Sequence, residues 1–287
     1  MQEIRVLTVP YELGRLRAGV GRGPDTLLEH GAEAALASAG ASVQAEVIEI
    51  GDEYAATGQG DVDAAFALIR AIAERVRDAR EADAFPVVLA GSCFAAVGVV
   101  AGLAEPDPGV VWLDAHSDFN HPDTAVSGYF DGMGLAVLTG GAWQGLHATV
   151  PGARPVPEAR VVLAGAHDFD PPEEARLHAS RIVQLAPAQL RETAAVLEAV
   201  GSLVPEASGV YLHLDLDVID AEVAGVNVYS APGGIDGAQL DDLVAAIIAT
   251  FPVRGVSLTA YDPAFDTAAR VPPIALRVLR TIARSLA

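Results

Sequence analysis

The chain has 287 residues, of which 51% are hydrophobic and 20% charged, and its formal net charge is −20 at pH 7. Such an acidic surface argues against nucleic acid or an anionic membrane as a partner. The single cysteine excludes a disulfide within the chain, and no run of 18 apolar residues predicts a membrane span. The first residues lack the basic flank and apolar core of a signal peptide. We therefore expect a cytoplasmic protein folded as one domain over residues 1–287.

Short apolar segments alternate with amphipathic segments from one end of the chain to the other. Alternation of this kind predicts a parallel sheet covered by helices on both faces, which is a three-layer α/β/α fold. The predicted strands cover residues 4–9, 43–50, 85–89, 110–113, 159–164, 209–217 and 253–261. The predicted helices cover residues 61–82, 134–140, 187–200, 239–251 and 267–286, with a further helix opening near Pro24.

Three potential metal ligands follow the apolar run of residues 110–113. Asp114, His116 and Asp118 stand at alternating positions. In an extended chain, residues two and four apart share a face, so all three side chains should point at one spot past the strand. Open α/β sheets bind their ligands at that end of the strands.

A second segment alternates in the same way. Asp215 and Asp217 share a face, and His213 lies on it one step earlier. Carboxylates on an apolar strand are costly to bury unpaired, and a shared cation is the simplest way to stabilise them. Two divalent ions are favoured over one, because four aspartates around a single ion would repel each other. The alternative is that each aspartate ends a strand and caps a helix or turn.

The two motifs read Asp-Ala-His-Ser-Asp at 114–118 and Asp-Leu-Asp-Val-Ile-Asp at 215–220. They resemble the ureohydrolase family, which includes arginase, agmatinase and formimidoylglutamase. The resemblance covers nearly the whole chain and implies an arginase-like domain with two divalent ions, expected to be manganese, and a small-molecule substrate. It also implies a homo-oligomer, either a trimer or a hexamer.

The resemblance also implies a set of metal ligands. Asp114 and Asp215 would contact both ions, Asp118 would complete one site, and His116 and Asp217 would complete the other. At the end of the third strand the family has Gly-Gly-Asp-His-Ser, and the position of its metal-binding histidine is occupied here by Cys93.

In this feature the chain resembles a branch of the family that has cysteine at this position, and that branch includes an Nω-hydroxy-arginine hydrolase. A thiolate suits zinc, iron(II) or cobalt(II) better than manganese(II). We therefore expect Cys93 to be a metal ligand, and its site to bind manganese weakly or to hold another metal. The alternative is a small buried cysteine with no ligand role.

The resemblance assigns further positions to the substrate. Asn120 and Ser127 would bind an α-carboxylate, and Asp170 and Glu173 would face an α-ammonium group. The alternative for the last two is an acidic helix start. The guanidinium-binding glutamate of the family falls on Ala260, and we expect Asp262, two residues later, to share its strand face and replace it.

The catalytic candidates are Asp131, His121 and Asp118. Asp131 occupies the position of a proposed proton-shuttle histidine, and a carboxylate can also relay a proton. His121 is a neighbour that the family pattern does not predict, and a solvated loop histidine is its alternative interpretation.

We therefore expect a dinuclear metal hydrolase that cleaves a C–N bond of a linear amidine or guanidino compound. Arginine or Nω-hydroxy-arginine is the expected substrate, releasing urea or a urea analogue. One alternative is an agmatinase-like or other linear amidine or amide hydrolase. Another is a non-catalytic relative, in which Cys93 and Ala260 mark a site that has lost its activity.

Overall fold

The computed structural model describes residues 3–51, 62–125, 128–203 and 207–286. Its strands are β1 (Glu3–Val9), β2 (Tyr11–Glu12), β3 (Arg15–Leu16), β4 (Val43–Val47), β5 (Ala84–Ala90), β6 (Pro108–Leu113), β7 (Val161–Ala164), β8 (Val183–Leu185), β9 (Gly209–Asp215) and β10 (Val253–Thr259). Eight of them form one sheet in the order β4-β1-β5-β10-β9-β6-β7-β8. All neighbours in that sheet pair in parallel, while β2 and β3 form a short antiparallel ribbon.

Helices cover both faces of this sheet. They are α1 (Gly23–Glu29), α2 (Ala32–Ala37), α3 (Val62–Glu81), α4 (Ala95–Leu103), α5 (Gly134–Leu138), α6 (Gln144–His147), α7 (Pro171–Ala179), α8 (Pro187–Leu190), α9 (Thr193–Leu203), α10 (Gly237–Thr250) and α11 (Val271–Leu286). Val111 and Leu113 of β6 pack into a core shared with α1, α2, α9, α10 and α11. Val110 and Trp112 face the opposite core, which α3, α4 and α5 complete. The predicted three-layer arrangement with a parallel sheet is therefore confirmed.

The sequence pattern explains why the longest helix forms where it does. In α3, Ala65, Leu68, Ile69, Ile72 and Val76 recur at three- and four-residue spacing, and all five are buried. This apolar stripe packs on the sheet, while charged residues occupy the other face. Among the described residues, no helix is both long and apolar enough to cross a membrane.

Several short elements differ from the predictions. The predicted helix 187–200 is two helices, α8 and α9, with a break at Arg191 and Glu192. The strands β2, β3 and β8 and the helices α2, α4 and α6 were not predicted. The helix α7 begins after Asp170, at the acidic helix start that was the alternative interpretation of Asp170 and Glu173. A strand of two or three residues carries too little periodicity to be recognised, and β8 forms because β7 offers it an edge to pair with.

Two glycines allow the chain to approach itself closely beside the carboxyl ends of the strands. A Cβ atom on Gly91, just after β5, would lie 2.2 Å from the carbonyl oxygen of Tyr11. A Cβ on Gly23 would lie 2.1 Å from the carbonyl oxygen of Tyr261. These glycines are required for close backbone packing.

Asp236 caps α10 by accepting hydrogen bonds from the backbone amides of Ala238 (2.8 Å) and Gln239 (2.9 Å). We expect Asp236→Ala to lower the free energy of unfolding by about 1 kcal/mol, because both amides lose their acceptor. Urea denaturation measures the effect. Asp242→Ala, an exposed position inside the same helix, is the control and should change stability by only a few tenths of a kcal/mol. Equal losses in the two variants would contradict the capping role.

Candidate metal centre and substrate cavity

A cavity of about 330 Å³ opens at the carboxyl ends of the central strands. Its lining includes Cys93 after β5, Ala260 after β10, Asp215 at the end of β9 and His116 after β6. These four strands are neighbours in the sheet. The cavity therefore lies where parallel α/β sheets bind ligands.

The first motif converges by a different route from the predicted one. The strand β6 ends at Leu113, so Asp114, His116 and Asp118 do not alternate along an extended chain. The backbone amide of His116 donates to Asp114 Oδ1 at 2.7 Å, which turns the chain just after the strand. Asp118 then has a positive φ of 48°. The prediction of three ligands on one strand face was wrong, although His116 and Asp118 both line the cavity.

The second motif turns in a similar way. Asp215 is the last residue of β9, and Asp217 lies in a 3-10 turn over Leu216–Val218. The amide of Asp217 donates to Asp215 Oδ1 at 2.7 Å. The amide of Ala115 in the first motif reaches Asp217 Oδ1 at 3.4 Å. Each motif therefore stabilises one of its own carboxylates through a backbone amide, and the first motif contributes a further amide to the second.

The described residues include two groups whose ligand atoms all lie within 4.8 Å of one another. One consists of Asp114, His116 and Asp217, and the other of Cys93, Asp114 and His213. Asp114 belongs to both groups, as a ligand shared by two ions would. Asp215 lies beside the second group, since its Oδ2 is 2.8 Å from Cys93 Sγ.

His213 was not predicted as a ligand. It shares a strand face with Asp215, which was the available signal, but a histidine inside an apolar strand is more often a core residue. The ring is fully buried, and burial lowers the pKa of His213 to about 3. Its imidazole is therefore neutral, which is the form that binds metal ions.

Burial dominates the electrostatics of this site. Desolvation, followed by repulsion from Asp217, raises the pKa of Asp114 to about 6. Desolvation also raises the pKa values of Asp118 and Asp215 well above the usual range. Asp217 is buried as well, but the neighbouring His116 lowers its pKa. The structure thus concentrates acidic groups in a place from which water is largely excluded, and their ionisation is disfavoured there unless a cation binds.

A divalent cation fits this arrangement. Asp118 Oδ2 is buried and has no hydrogen-bond partner among the described residues. Carboxylate oxygens, imidazole nitrogen and a thiolate are all common metal donors, and the residues that would hold the ions are Cys93, Asp114, His116, Asp118, His213, Asp215 and Asp217. A bound cation would remove the repulsion among the carboxylates and satisfy the unpaired oxygen.

The predicted substrate-binding residues lie around the same cavity. Asn120 lines it, and its buried Oδ1 has no hydrogen-bond partner within the described part of the chain. Asp170, the residue that precedes α7, lines it as well. Glu173 accepts hydrogen bonds from the Ser117 hydroxyl and from the amide of Phe119 (3.1 Å), so it holds the metal-binding loop. Ser127 lies outside the described residues.

Asp131 and His121 differ in position. Asp131 lines the cavity, accepts a hydrogen bond from the amide of Phe94 at 2.8 Å, and has its pKa raised to about 7 by burial. His121 lines a separate cavity with Arg176, and burial and then Arg176 lower its pKa. The geometry therefore brings Asp131, but not His121, to the metal-binding groups.

Asp262 does not share a strand face with Ala260, contrary to the prediction. The strand β10 ends at Thr259, and Ala260 has a φ of 66°, so the alternation stops there. Ala260 lines the cavity. Of the described residues, Asp262 does not line the cavity. Its Oδ1 instead forms an ion pair with Arg22 Nη2 at 2.8 Å.

Three lining residues had no usable signal in the sequence. Asn227 Nδ2 donates to Asp217 Oδ2 (3.0 Å) and to the carbonyl oxygen of Ala260 (2.9 Å). Tyr129 and Tyr229 also line the cavity, with ring centroids 5.5 Å apart. They come from loops that follow different strands, so only the folded chain brings them together.

Residues 2–284 match the model of the Arginase family. The chain belongs to this family. Its members are metal-dependent amidinohydrolases, and this chain is accordingly a metal-dependent hydrolase of guanidino compounds. The ureohydrolase resemblance predicted from the two motifs is thus confirmed.

Relatives within the Arginase family carry two different activities in their names. An arginase of Bacillus subtilis strain 168 is 30% identical over 229 residues, which is 76% of each chain. An N(omega)-hydroxy-L-arginine amidinohydrolase of Streptomyces lavendulae is 29% identical over 201 residues, covering 69% of this chain and 68% of that one. The arginase structure from Bacillus caldovelox superposes with a TM-score of 0.89 at 26% identity over 98% of both chains.

The buried acids predict how the metal-free protein responds to pH. Asp114 and Asp131 have folded pKa values of about 6 and about 7, above the ordinary aspartate value of 3.8. The folded chain therefore binds more protons than the unfolded chain above about pH 4, and stability is lost as the pH rises through the folded values. His116, whose pKa is raised mainly by Asp217 against the effect of burial, acts in the same direction.

We expect the free energy of unfolding of EDTA-treated protein to fall by more than about 1 kcal/mol between pH 5.5 and 7.5. Urea denaturation at three pH values measures it. Asp131→Asn should reduce the slope, whereas Asp123→Asn, an exposed position in the preceding loop, should leave it unchanged. A flat profile for the parent protein would show that these carboxyl groups ionise normally.

Proposed function

We propose that the chain hydrolyses the terminal guanidino-type group of an α-amino acid, with Nω-hydroxy-arginine or arginine as the substrate. The observation that carries the proposal is that one cavity is lined by members of both metal-binding groups and by residues suited to an amino-acid end. His116, Asp217 and Cys93 line it together with Asn120 and Asp170. The similarity to the hydroxy-arginine amidinohydrolase of Streptomyces lavendulae supports the same substrate class.

We propose that two divalent ions bind side by side and share Asp114. The oxygen and nitrogen donors of Asp114, His116 and Asp217 suit manganese, while the sulfur of Cys93 suits a softer ion. When bound, the ions supply Lewis-acid activation of water, lowering its pKa toward neutrality.

The substrate's amino-acid end has partners on the other residues of the cavity. The Asn120 side chain can hydrogen-bond the α-carboxylate, and Asp170 can pair with the α-ammonium group. Glu173 acts as a positioning residue, because its carboxylate is already bonded to Ser117 and Phe119. Holding the substrate in this way fixes the distance between its guanidino carbon and the attacking water.

The bond changes require one proton delivery that Asp131 can perform. Water adds to the guanidino carbon, the bond from that carbon to the side-chain nitrogen breaks, and this nitrogen leaves as an amine after gaining a proton. A carboxyl with a pKa of about 7 is half protonated at neutral pH, so Asp131 can hold this proton and give it to the leaving nitrogen. The products are ornithine and urea, or hydroxyurea from a hydroxyguanidine.

Ala260 favours the hydroxylated substrate over arginine. Its methyl group lines the cavity but offers no carboxylate to form a bidentate pair with a guanidinium. A hydroxyguanidine is a weaker base than a guanidine, because the electronegative oxygen withdraws charge, and it has less need of an anionic partner. It also fills more of the space beside a small side chain.

The direct test is product release from arginine, Nω-hydroxy-arginine and agmatine by protein reconstituted with manganese, cobalt or zinc. We expect ornithine from Nω-hydroxy-arginine, at a kcat/KM at least about 10-fold above that for arginine, and no turnover of agmatine. Silence across the whole panel would reject the proposal and favour a non-catalytic relative. Turnover of agmatine alone would reject the amino-acid assignment.

Asn120 provides a second test. We expect Asn120→Ala to lower kcat/KM for the amino-acid substrate by about 10- to 100-fold, because the α-carboxylate loses a partner and the reacting end is misplaced. Asp123→Ala, an exposed residue of the same loop, is the control and should leave kcat/KM unchanged. A similar loss in both variants would mean that Asn120 acts only through the loop's structure.

A further inference from the structure

We infer that His213 and Cys93, together with Asp114, form a sulfur–nitrogen–oxygen ligand set that makes one metal site selective for zinc-like ions. The inference deepens the proposed function, because it concerns one of the two metal sites on which that function rests. Zinc sites in proteins are built from cysteine, histidine and carboxylate ligands. Of these three residues, His213 is the one that was not predicted as a metal ligand.

The register of the sheet brings these residues together. On the face of the sheet that bears Trp112, His213 of β9 stands opposite Trp112 of β6 and Ser257 of β10. Asp215 stands one pleat further along β9, opposite Thr259. His213 therefore lies directly beneath the carboxylates that line the cavity.

The distances among the three ligands are close to those of a metal site. The ligand atoms of Cys93, Asp114 and His213 all lie within 4.8 Å of one another. Zinc–nitrogen and zinc–oxygen bonds are about 2.0–2.2 Å and zinc–sulfur bonds about 2.3 Å, so tetrahedral ligands stand roughly 3.3–3.7 Å apart.

The imidazole of His213 is held with one nitrogen toward Cys93. Its Nδ1 lies 2.9 Å from Ser257 Oγ, and the Tyr211 hydroxyl lies 2.6 Å from the same oxygen. The ring stacks on Trp112 with centroids 3.7 Å apart. When Nδ1 donates to Ser257 Oγ, the Nε2 lone pair is free to face a ligand, which is the usual arrangement around metal-binding histidines.

Among the residues that the structure describes, Nε2 has only a weak partner. Its contact is Thr259 Oγ1 at 3.4 Å. That hydroxyl also lies 3.0 Å from Cys93 Sγ and 3.4 Å from the carbonyl oxygen of Leu214. One hydroxyl proton cannot serve all three groups, so the fully buried Nε2 is left poorly satisfied.

The surroundings of Cys93 also indicate a bound cation. Its buried Sγ lies 2.8 Å from Asp215 Oδ2. A thiol can donate to this carboxylate, but a thiolate beside it is stable only with a cation between or next to the two anions. The site therefore combines a thiol, a neutral imidazole and carboxylates around one point.

This ligand set separates the two metal sites chemically. Sulfur and imidazole favour zinc, cobalt(II) or iron(II), whereas Asp114, His116 and Asp217 offer one imidazole and carboxylates only. We expect zinc to displace manganese from the Cys93 site with a preference of about 100-fold or more. The centre should then hold two different metals when both are supplied.

Cobalt(II) titration of metal-free protein tests the sulfur ligand. We expect an intense near-ultraviolet thiolate-to-cobalt absorption within the first equivalent, which zinc abolishes by displacement and excess manganese does not. Cys93→Ser should remove the band. His213→Gln should retain it but weaken zinc binding by at least about 10-fold. The matched control, His147→Gln, changes a buried histidine that lines a separate cavity and should alter neither quantity.

A measurement on the unmutated protein avoids any dependence on how these variants fold. Protein labelled with nitrogen-15 histidine is loaded with one equivalent of cadmium-113, which shares the ligand preferences of zinc. We expect direct cadmium coupling to the Nε2 of His213 and to the β-protons of Cys93. Coupling to Cys93 without His213, or to neither, would overturn the inference.

These readouts do not require turnover. An enzyme that is active with manganese but shows no sulfur or His213 contact would contradict this inference and leave the proposed function in place. Metal contacts as expected, in a protein that hydrolyses none of the guanidino substrates, would reject the proposed function alone.

Discussion

The burial of ionisable side chains at the carboxyl ends of β5, β6, β9 and β10 is the constraint on which the site depends. Backbone amides satisfy part of the charge, since His116 and Asp217 donate to the carboxylates of Asp114 and Asp215. Trp112 Nε1 donates to the other oxygen of Asp114 at 2.9 Å. These bonds cannot cancel the repulsion among four buried carboxylates. Bound cations would neutralise the remaining negative charge, so metal binding and the stability of this end of the sheet are physically linked.

The order of the strands produces this convergence. The motif residues of β6 and β9 are about 100 positions apart in the sequence but neighbours in the sheet. The amide of Ala115 reaches Asp217, and the side chain of Asn227 links Asp217 to the backbone of Ala260 after β10. Hydrogen bonds therefore link the ends of β6, β9 and β10. We expect a displacement of one loop to shift the ligand residues of its neighbour.

The sequence predicted the layers and the α3 helix, and most of its candidate site residues line one cavity, because each is encoded by a local pattern. Strong apolar periodicity identifies α3 whatever its surroundings, and two motifs with unusual acidic spacing identify the metal centre. The face-sharing arguments for Asp118 and Asp262 failed, since both assumed that the strand continues. The strands end at Leu113 and Thr259, and a positive φ then changes the direction of each loop.

Other features could not be predicted, because they depend on contacts between distant segments. The role of His213 needs the register of three strands. The pairing of Asp262 with Arg22 needs the approach of a loop 240 residues earlier in the chain. Nothing in the local sequence distinguishes Asn227 from an ordinary loop asparagine, yet its side chain holds two strand ends together.

Cys93 and Ala260 are the two differences from the family pattern that suggest a lost activity, but the contacts around both residues argue against such a loss. Cys93 is not an isolated small side chain, because His213 and Asp114 place ligand atoms beside its sulfur. Ala260 lacks a carboxylate, but its carbonyl oxygen accepts a hydrogen bond from Asn227, which also binds Asp217. A protein without bound cations would gain stability by losing these buried carboxylates, since each costs free energy to desolvate. Their retention around an open cavity is physically consistent with an active centre adapted to a different reacting group.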